Sequence, residues 1–187
     1  MKAIRQVELS SPWLDEREEE LVLDVLRSGR LSLGPTIDAF EEAFADAVDA
    51  PYAAAVSSGT AGLHLLCIAA GVGPGDEVIT SPYSFVASAN CAIYEAATPV
   101  FADIDPRTLN LDPKAVEAAI TDRTRAVVAV DIYGYPCELE ELRAICERHG
   151  LALIQDACEA LGARYKGDLL GSHGPSAVFA FYPNKQI

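Results

Sequence analysis

Residues 126–157, AVVAVDIYGYPCELEELRAICERHGLALIQDA, give the clearest indication of the fold. Its two runs at 126–132 and 151–155 are almost continuously apolar, which is typical of strands buried on both faces of a sheet. Between them, residues 138–149 carry apolar side chains at helical spacing, and Gly150 provides a stop signal. A strand–helix–strand unit of this kind predicts two parallel strands in a sheet that helices cover.

The same alternation extends outward over most of the chain. The predicted strands are Tyr52–Ser57, Glu77–Thr80, Pro99–Ile104, Ala126–Ile132, Leu151–Gln155 and Ala177–Tyr182. The predicted helices between them are Ala61–Ala70, Phe85–Glu95, Pro113–Ile120 and Glu138–His149. We therefore predict an α/β fold, with a mostly parallel sheet and helices on both of its faces.

Two further helices are predicted before the first strand. Apolar residues recur at helical spacing between residues 14 and 26 and again between residues 37 and 48. The segment from Asp15 to Asp49 holds eleven acidic and three basic residues, a net charge of −8. We expect both helices to cover the sheet with an apolar face and to expose an acidic one.

Composition bounds the class of protein. A chain of 187 residues with 50% hydrophobic residues can bury one core, so one domain is expected. The formal charge of −14 argues against nucleic acid as a partner. No run approaches the roughly 20 apolar residues of a membrane span, and the first residues lack an apolar signal region, so a cytoplasmic protein without a membrane partner is expected. Five cysteines without a CxxC spacing and only three histidines predict no metal site and no disulfide framework.

Three candidate functional groups lie where predicted strands end, which is where open α/β sheets bind ligands. The turn SSGTAG at residues 57–62 opens a helix and could cradle a phosphate, although simple helix capping explains it as well. Asp156 ends a buried strand as either a structural cap or the charge partner of a ligand. Lys185 follows an apolar strand and is either a desolvated nucleophile or a surface lysine. Together the three groups match the needs of pyridoxal phosphate (PLP), namely a phosphate cradle, a carboxylate and an imine-forming amine.

Motifs in nearly the whole chain extend this interpretation: GPTIDAFEEAFA, SSGTAGLHL, GPGDEVITSPYSFVASAN, PVFADIDPRTLNLDP, DIYGYP, QDACEALGA and VFAFYPNKQI. In these motifs and their order the chain resembles the DegT/DnrJ/EryC1/StrS family of PLP-dependent sugar aminotransferases, whose large domain has fold type I. We expect residues 1–187 to form the N-terminal part of that PLP-binding large domain. The rest of the large domain and a small C-terminal domain are absent from these residues, so the chain alone is expected to be inactive.

The resemblance implies a role for each site residue. It makes Lys185 the lysine of the internal aldimine and Asp156 the partner of the pyridine nitrogen. It places Phe85 against the cofactor ring, and Gly59, Thr60 and Ala61 at the phosphate. Two positions depart from the family pattern: Glu159 stands where relatives often carry Gln or His near the phenolic oxygen, and Ala180 stands where many carry Ser. Arg164, Asp131 and Tyr133 are interpreted as structural.

The implied reaction moves an amino group, from glutamate as donor, to a nucleotide-linked keto sugar, in a homodimer. A related sugar dehydratase is an alternative, disfavoured because those relatives carry His in place of Lys185. A catalytically silent sensor that binds PLP or a nucleotide sugar is a second alternative, and a purely structural module is a third. The residues do not indicate which sugar, which carbon or which nucleotide is used.

Overall fold

The computed structural model describes residues 12–172, 174 and 176–185. The helices are α1 (Glu16–Ser28), α2 (Pro35–Ala47), α3 (Gly59–Ala69), α4 (Ala87–Tyr94), α5 (Pro113–Ala119) and α6 (Leu139–His149). The strands are β1 (Glu77–Thr80), β2 (Thr98–Phe101), β3 (Thr124–Val130), β4 (Ala152–Asp156), β5 (Arg164–Tyr165), β6 (Asp168–Leu169) and β7 (Ser176–Val178). A short 3₁₀ turn, Ile132–Gly134, follows β3.

Five strands form one parallel sheet in the order β2-β1-β3-β4-β7, and β5 and β6 form a small antiparallel pair. The order reverses between β1 and β3, because β2 lies on one side of β1 and all later strands lie on the other. Parallel strands end at the same edge, and a crevice forms at this edge where the order reverses. The predicted α/β fold is confirmed.

Helices cover both faces of this sheet. On one face, Val78, Val128 and Ile154 pack with side chains of α3 and α4 such as Leu63 and Cys91. On the other face, the neighbouring strand residues Ile79, Val127 and Ala129 pack with α5 and α6. Successive strand residues point to opposite faces of the sheet, so a strand without polar residues must be covered by helices on both faces. This explains the apolar runs in the sequence.

The predicted strand Tyr52–Ser57 is wrong. These residues have no regular secondary structure, and no described strand pairs with them. The segment and β7 both line a groove of about 900 Å³. The backbone N–H of Ala55 donates instead to Oε1 of Glu41 on α2, at 2.7 Å.

The last predicted strand, Ala177–Tyr182, is shorter than expected and ends at Val178. The aromatic residues that follow pack against α2 rather than continue the ladder. The ring of Phe179 lies 5.3 Å from that of Phe44, and the ring of Phe181 lies 5.5 Å from those of Phe40 and Phe44.

Helix α1 begins at a complete capping box, in which Asp15 accepts from the first turn and Glu18 accepts from the backbone of Asp15. The expectation that α1 covers the sheet is wrong for the described residues, since none of its side chains is buried and Leu21 and Leu26 are about half exposed.

No helix in the described part of the chain is long and apolar enough to cross a membrane. All five cysteines are free.

Candidate active site

The carboxyl edge of the sheet brings together the three groups that the sequence singled out. Asp156 is the last residue of β4, and Lys185 follows β7, the neighbouring strand. Gly59 begins α3 against the segments that follow β4 and β7, since a Cβ there would lie 2.9 Å from Sγ of Cys158 and 3.2 Å from Cβ of Ala180. Glycine at this position therefore lets the start of the helix approach the strand ends.

Asp156 is a buried carboxylate with two polar contacts from neighbouring elements. Its Oδ2 accepts from the Ser88 hydroxyl on α4 at 2.8 Å, and its Oδ1 accepts from the Cys158 N–H at 3.3 Å. Within the described residues, Asp156 takes part in no ion pair. Burying an ionised carboxylate is costly unless a cation meets it, so a cationic ligand group is a suitable partner here.

The first turn of α3 offers backbone donors next to this carboxylate. Ser58 caps the helix, and its Oγ accepts from the Ala61 N–H at 3.1 Å. Helix N-termini bind anions because their first N–H groups lack helical partners and the dipole is positive there. Gly62 has a packing role of its own, because a Cβ there would lie 2.8 Å from Cγ1 of Val178.

Lys185 is paired with Glu159 at the rim of the cleft. Nζ of Lys185 donates to Oε1 of Glu159 at 3.0 Å, and the Tyr133 backbone N–H donates to Oε2 at 3.1 Å. Desolvation raises the pKa of Glu159, but the hydrogen bonds from Lys185 and Tyr133 and the charge of Lys185 outweigh it, and the net pKa is lowered. Glu159 is therefore held as a carboxylate beside the lysine.

Aromatic side chains line the opening over the point where the strand order reverses. Phe85 lies just before α4 and its side chain is 74% exposed. Tyr83, in the loop after β1, and Tyr133, in the loop after β3, share a hydroxyl–hydroxyl hydrogen bond of 2.9 Å. Phe85 is thus largely exposed and can meet a flat ligand ring.

Asp131 directly follows β3, the strand next to β4, and its side chain is buried in the protein. Its carboxylate accepts from the Cys137 N–H at 2.8 Å and from Nε2 of Gln155 at 2.7 Å. Burial raises the pKa of Asp131 to about 6, although these hydrogen bonds oppose the shift. Its contacts fix the loop after β3, in line with the structural interpretation from the sequence.

Sequence reasoning missed the serine that holds Asp156. Ser88 is buried in the first turn of α4, and its hydroxyl also meets that of Ser84 at 2.8 Å. The motif SPYSFVAS contains both serines four residues apart, the spacing of one helical face. That spacing was a usable signal, but only the fold shows that the face points at β4.

These residues fit the cofactor that the resemblance implies. The donor set comprises the N–H groups at the start of α3, a buried carboxylate without an ion-pair partner among the described residues, and a primary amine at one sheet edge. Such a set can bind a phosphate, a protonated ring nitrogen and an aldehyde. No cluster of metal-ligating side chains is present among the described residues.

A mostly parallel sheet covered by helices on both faces is the fold of PLP-dependent aminotransferases of fold type I. The chain belongs to the DegT/DnrJ/EryC1/StrS aminotransferase family, whose model matches residues 12–187. It is 47% identical over 178 residues to the spore coat polysaccharide biosynthesis protein SpsC of Bacillus subtilis, covering 95% of this chain and 46% of that protein. It is 43% identical over 188 residues to GDP-perosamine synthase of Caulobacter vibrioides, covering 100% and 51%.

Solved structures agree with the fold. DesI, crystallised in the presence of its TDP-sugar product, superposes with a TM-score of 0.87 at 42% identity, over 94% of this chain and 45% of that one. A Streptococcus pneumoniae protein in its PLP-form gives a TM-score of 0.93 at 30% identity, over 97% and 50%. The chain spans about half the length of the curated relatives it matches.

Proposed function

We propose that the protein is a PLP-dependent aminotransferase that moves an amino group from glutamate to a nucleotide-linked keto sugar. The observation that carries the proposal is the meeting of Asp156, Lys185 and the start of α3 at one sheet edge. Residues 1–187 would form the N-terminal part of the PLP-binding large domain. A cytoplasmic homodimer is part of the same proposal.

Each residue has a defined task in this proposal. The Asp156 carboxylate would keep a proton on the pyridine nitrogen, and Ser88 holds the carboxylate in place. Gly59, Thr60 and Ala61 would form the turn that binds the phosphate, and the exposed ring of Phe85 would stack on the cofactor ring. Glu159 would lie toward the phenolic oxygen. When bound, PLP supplies an electron sink for the carbon that carries the amine.

Lys185 has two tasks in sequence. Its Nζ would hold the cofactor at its aldehyde carbon. When it is free, the amine would move a proton at the donor carbon, and positioned acid–base catalysis of this kind gives roughly 10²–10⁴-fold in rate. Glu159 would hold the free amine at the cleft rim.

The substrate class is supported by the names of relatives. One relative is a GDP-perosamine synthase, and the DesI structure was solved with a TDP-sugar product. The acidic chain, at −14, offers no general attraction for a nucleotide diphosphate. Recognition of the nucleotide must therefore come from local contacts in the complete site.

The decisive experiment locates the cofactor. The full-length gene product is incubated with PLP, reduced with borohydride and digested, and the modified peptide is identified by mass spectrometry. We expect the visible absorption band to disappear on reduction and the cofactor mass to appear on Lys185. Lys166, paired with Glu140 on the surface, is the internal control and should stay unmodified. Cofactor bound only at another residue, or not bound at all, would overturn the proposal.

Turnover separates an aminotransferase from the two cofactor-binding alternatives. Nucleotide-linked keto sugars are offered with glutamate, and the amino sugar is measured. We expect amine formation that Lys185→Arg abolishes. Tight PLP binding without amine formation would favour a sensor, and loss of a hydroxyl from the sugar without amine would favour a dehydratase.

A further inference from the structure

A strained backbone position supports the contact between Glu159 and Lys185. Tyr133 has φ 54° and ψ 23°, in the left-handed region that residues with a Cβ rarely adopt. Its N–H points to Oε2 of Glu159, at 3.1 Å, in this conformation. Strained positions persist where the surroundings hold them, and they concentrate at functional sites.

The surroundings hold Tyr133 on both sides. Within the loop after β3, the Asp131 carboxylate accepts from the Cys137 N–H, and this contact closes the loop that contains Tyr133. On the other side, the hydroxyl of Tyr133 meets that of Tyr83 at 2.9 Å. The next residue, Gly134, packs against the Glu159 backbone, since a Cβ there would lie 3.2 Å from the carbonyl oxygen of Glu159.

We propose that Tyr133 is a positioning residue for Lys185, acting through the Glu159 carboxylate that its left-handed backbone N–H holds in place. The inference rests on the proposed role of Lys185, and it goes beyond it by assigning a task to the loop after β3. Glu159 has one oxygen on the Tyr133 N–H and the other on the Lys185 ammonium. If the N–H moves, the carboxylate loses this hydrogen bond and is held less well against the lysine.

Ionisable groups on the segment of residues 156–159 lie near this pair. Asp156 and Cys158 lie on the same segment as Glu159, and the charges of both Lys185 and Glu159 reach the Cys158 thiol. Glu159 also raises the pKa of the Tyr133 hydroxyl, but the hydrogen bond from Tyr83 is the largest cause of that shift. The ammonium of Lys185 therefore has Glu159 as its hydrogen-bonded anion, at 3.0 Å.

The test compares two substitutions that remove the same ring and hydroxyl. Tyr133→Asn keeps a residue that tolerates the left-handed region, whereas Tyr133→Val introduces a β-branched residue that does not. Tyr133→Ala lies between them and provides a milder variant should Tyr133→Val fold poorly. Tyr133→Phe removes only the hydroxyl that meets Tyr83.

The measurement is the rate at which Lys185 reacts with acetic anhydride at fixed pH in full-length, cofactor-free protein, followed by peptide mass spectrometry. An amine held in a hydrogen bond to a carboxylate is less open to the reagent than a released one, so the labelling rate reports the contact between Lys185 and Glu159. Glu159→Gln removes the charged partner and should raise the rate about three- to tenfold, the range for a partly exposed, charge-assisted contact. Tyr133→Val should approach that rise, Tyr133→Ala should show part of it, and Tyr133→Asn and Tyr133→Phe should stay within about twofold of wild type.

Two further comparisons make the result decisive. Tyr133→Val should add nothing in a Glu159→Gln background, because both act on one contact. Glu140→Gln, at the exposed Lys166 pair, should leave Lys185 unchanged. Equal rates for the Val and Asn variants, or an additive double variant, would overturn the inference. Because labelling needs no cofactor, this outcome is distinct from a failure to find PLP on Lys185.

Discussion

Two carboxylates at neighbouring strand ends show how surroundings divide their tasks. Asp131 and Asp156 are linked through the backbone, since the Asp131 N–H donates to the Asp156 carbonyl oxygen at 3.0 Å. Asp131 is fully buried and accepts from an amide side chain and a backbone N–H, so it serves the fold. Asp156 accepts from a serine hydroxyl and lies at the cleft, so it can serve a ligand.

Removing the hydroxyl of Ser88 should cost stability. In Ser88→Ala, Oδ2 of Asp156 loses its donor in a buried place, and hydrogen bonds to charged groups contribute about 1.5–3 kcal/mol. We expect urea unfolding of the cofactor-free protein to report a loss in that range. Ser84→Ala is the matched control, with a smaller loss, because Ser84 contacts the carboxylate only through Ser88. Equal losses would contradict the role of Ser88.

Asp131 should make stability depend on pH. Burial raises its folded pKa to about 6 from an ordinary value of 3.8, so between these values the folded state binds the proton more tightly. The contribution of Asp131 to stability is therefore full below about pH 4 and is lost as pH rises through 6. Relative to that of Asp131→Asn, the free energy of unfolding of the wild type should fall by roughly 2–3 kcal/mol between pH 4 and pH 6.

The comparison uses urea unfolding of both proteins at several pH values. Asparagine suits the site because Oε1 of Gln155 has no partner among the described residues and could accept from the new amide. A difference between the two proteins that stays constant from pH 4 to pH 6 would contradict the raised pKa.

At the scale of elements, glycines set how closely α3 approaches the sheet. In Gly62→Ala the new Cβ would lie 2.8 Å from Cγ1 of Val178 on β7, so the helix must shift. Overpacking of this kind costs about 1–3 kcal/mol of unfolding free energy. Gly73→Ala is the control, because nothing lies within 4 Å of its Cβ. Val178→Ala should restore part of the loss in the double variant, and no coupling between the two sites would refute the contact.

Element boundaries also show what local pattern cannot give. β1 has the predicted bounds, and β3 and β4 differ from prediction by only one or two residues at each end, because apolar runs mark burial on both faces. The segment Tyr52–Ser57 has a similar pattern but no described partner strand. A β-strand needs backbone hydrogen bonds to an adjacent strand, and residues far away in sequence provide that strand.

At the scale of the whole molecule, charge is the property that composition fixes. The chain carries 28 acidic against 14 basic residues, with an isoelectric point near 4.5. Net charge keeps molecules apart, so solubility should be lowest near pH 4.5 and should rise toward pH 8. Solubility is measured as the protein concentration that stays in solution after centrifugation at each pH in this range. A minimum above pH 6 would show that local patches, not net charge, govern association.

From the sequence alone, one can predict the α/β class, the parallel sheet and the family. These properties follow from the hydrophobic periodicity and from motifs, both of which are local in the chain. The sequence also points to Lys185, Asp156 and Gly59, because each follows a strand or opens a helix. Folding is needed to bring Ser88 to Asp156 and to bring Tyr133 and Lys185 to Glu159. Those contacts join residues 26 to 68 positions apart, and their geometry depends on strand order and backbone conformation, which no local pattern encodes.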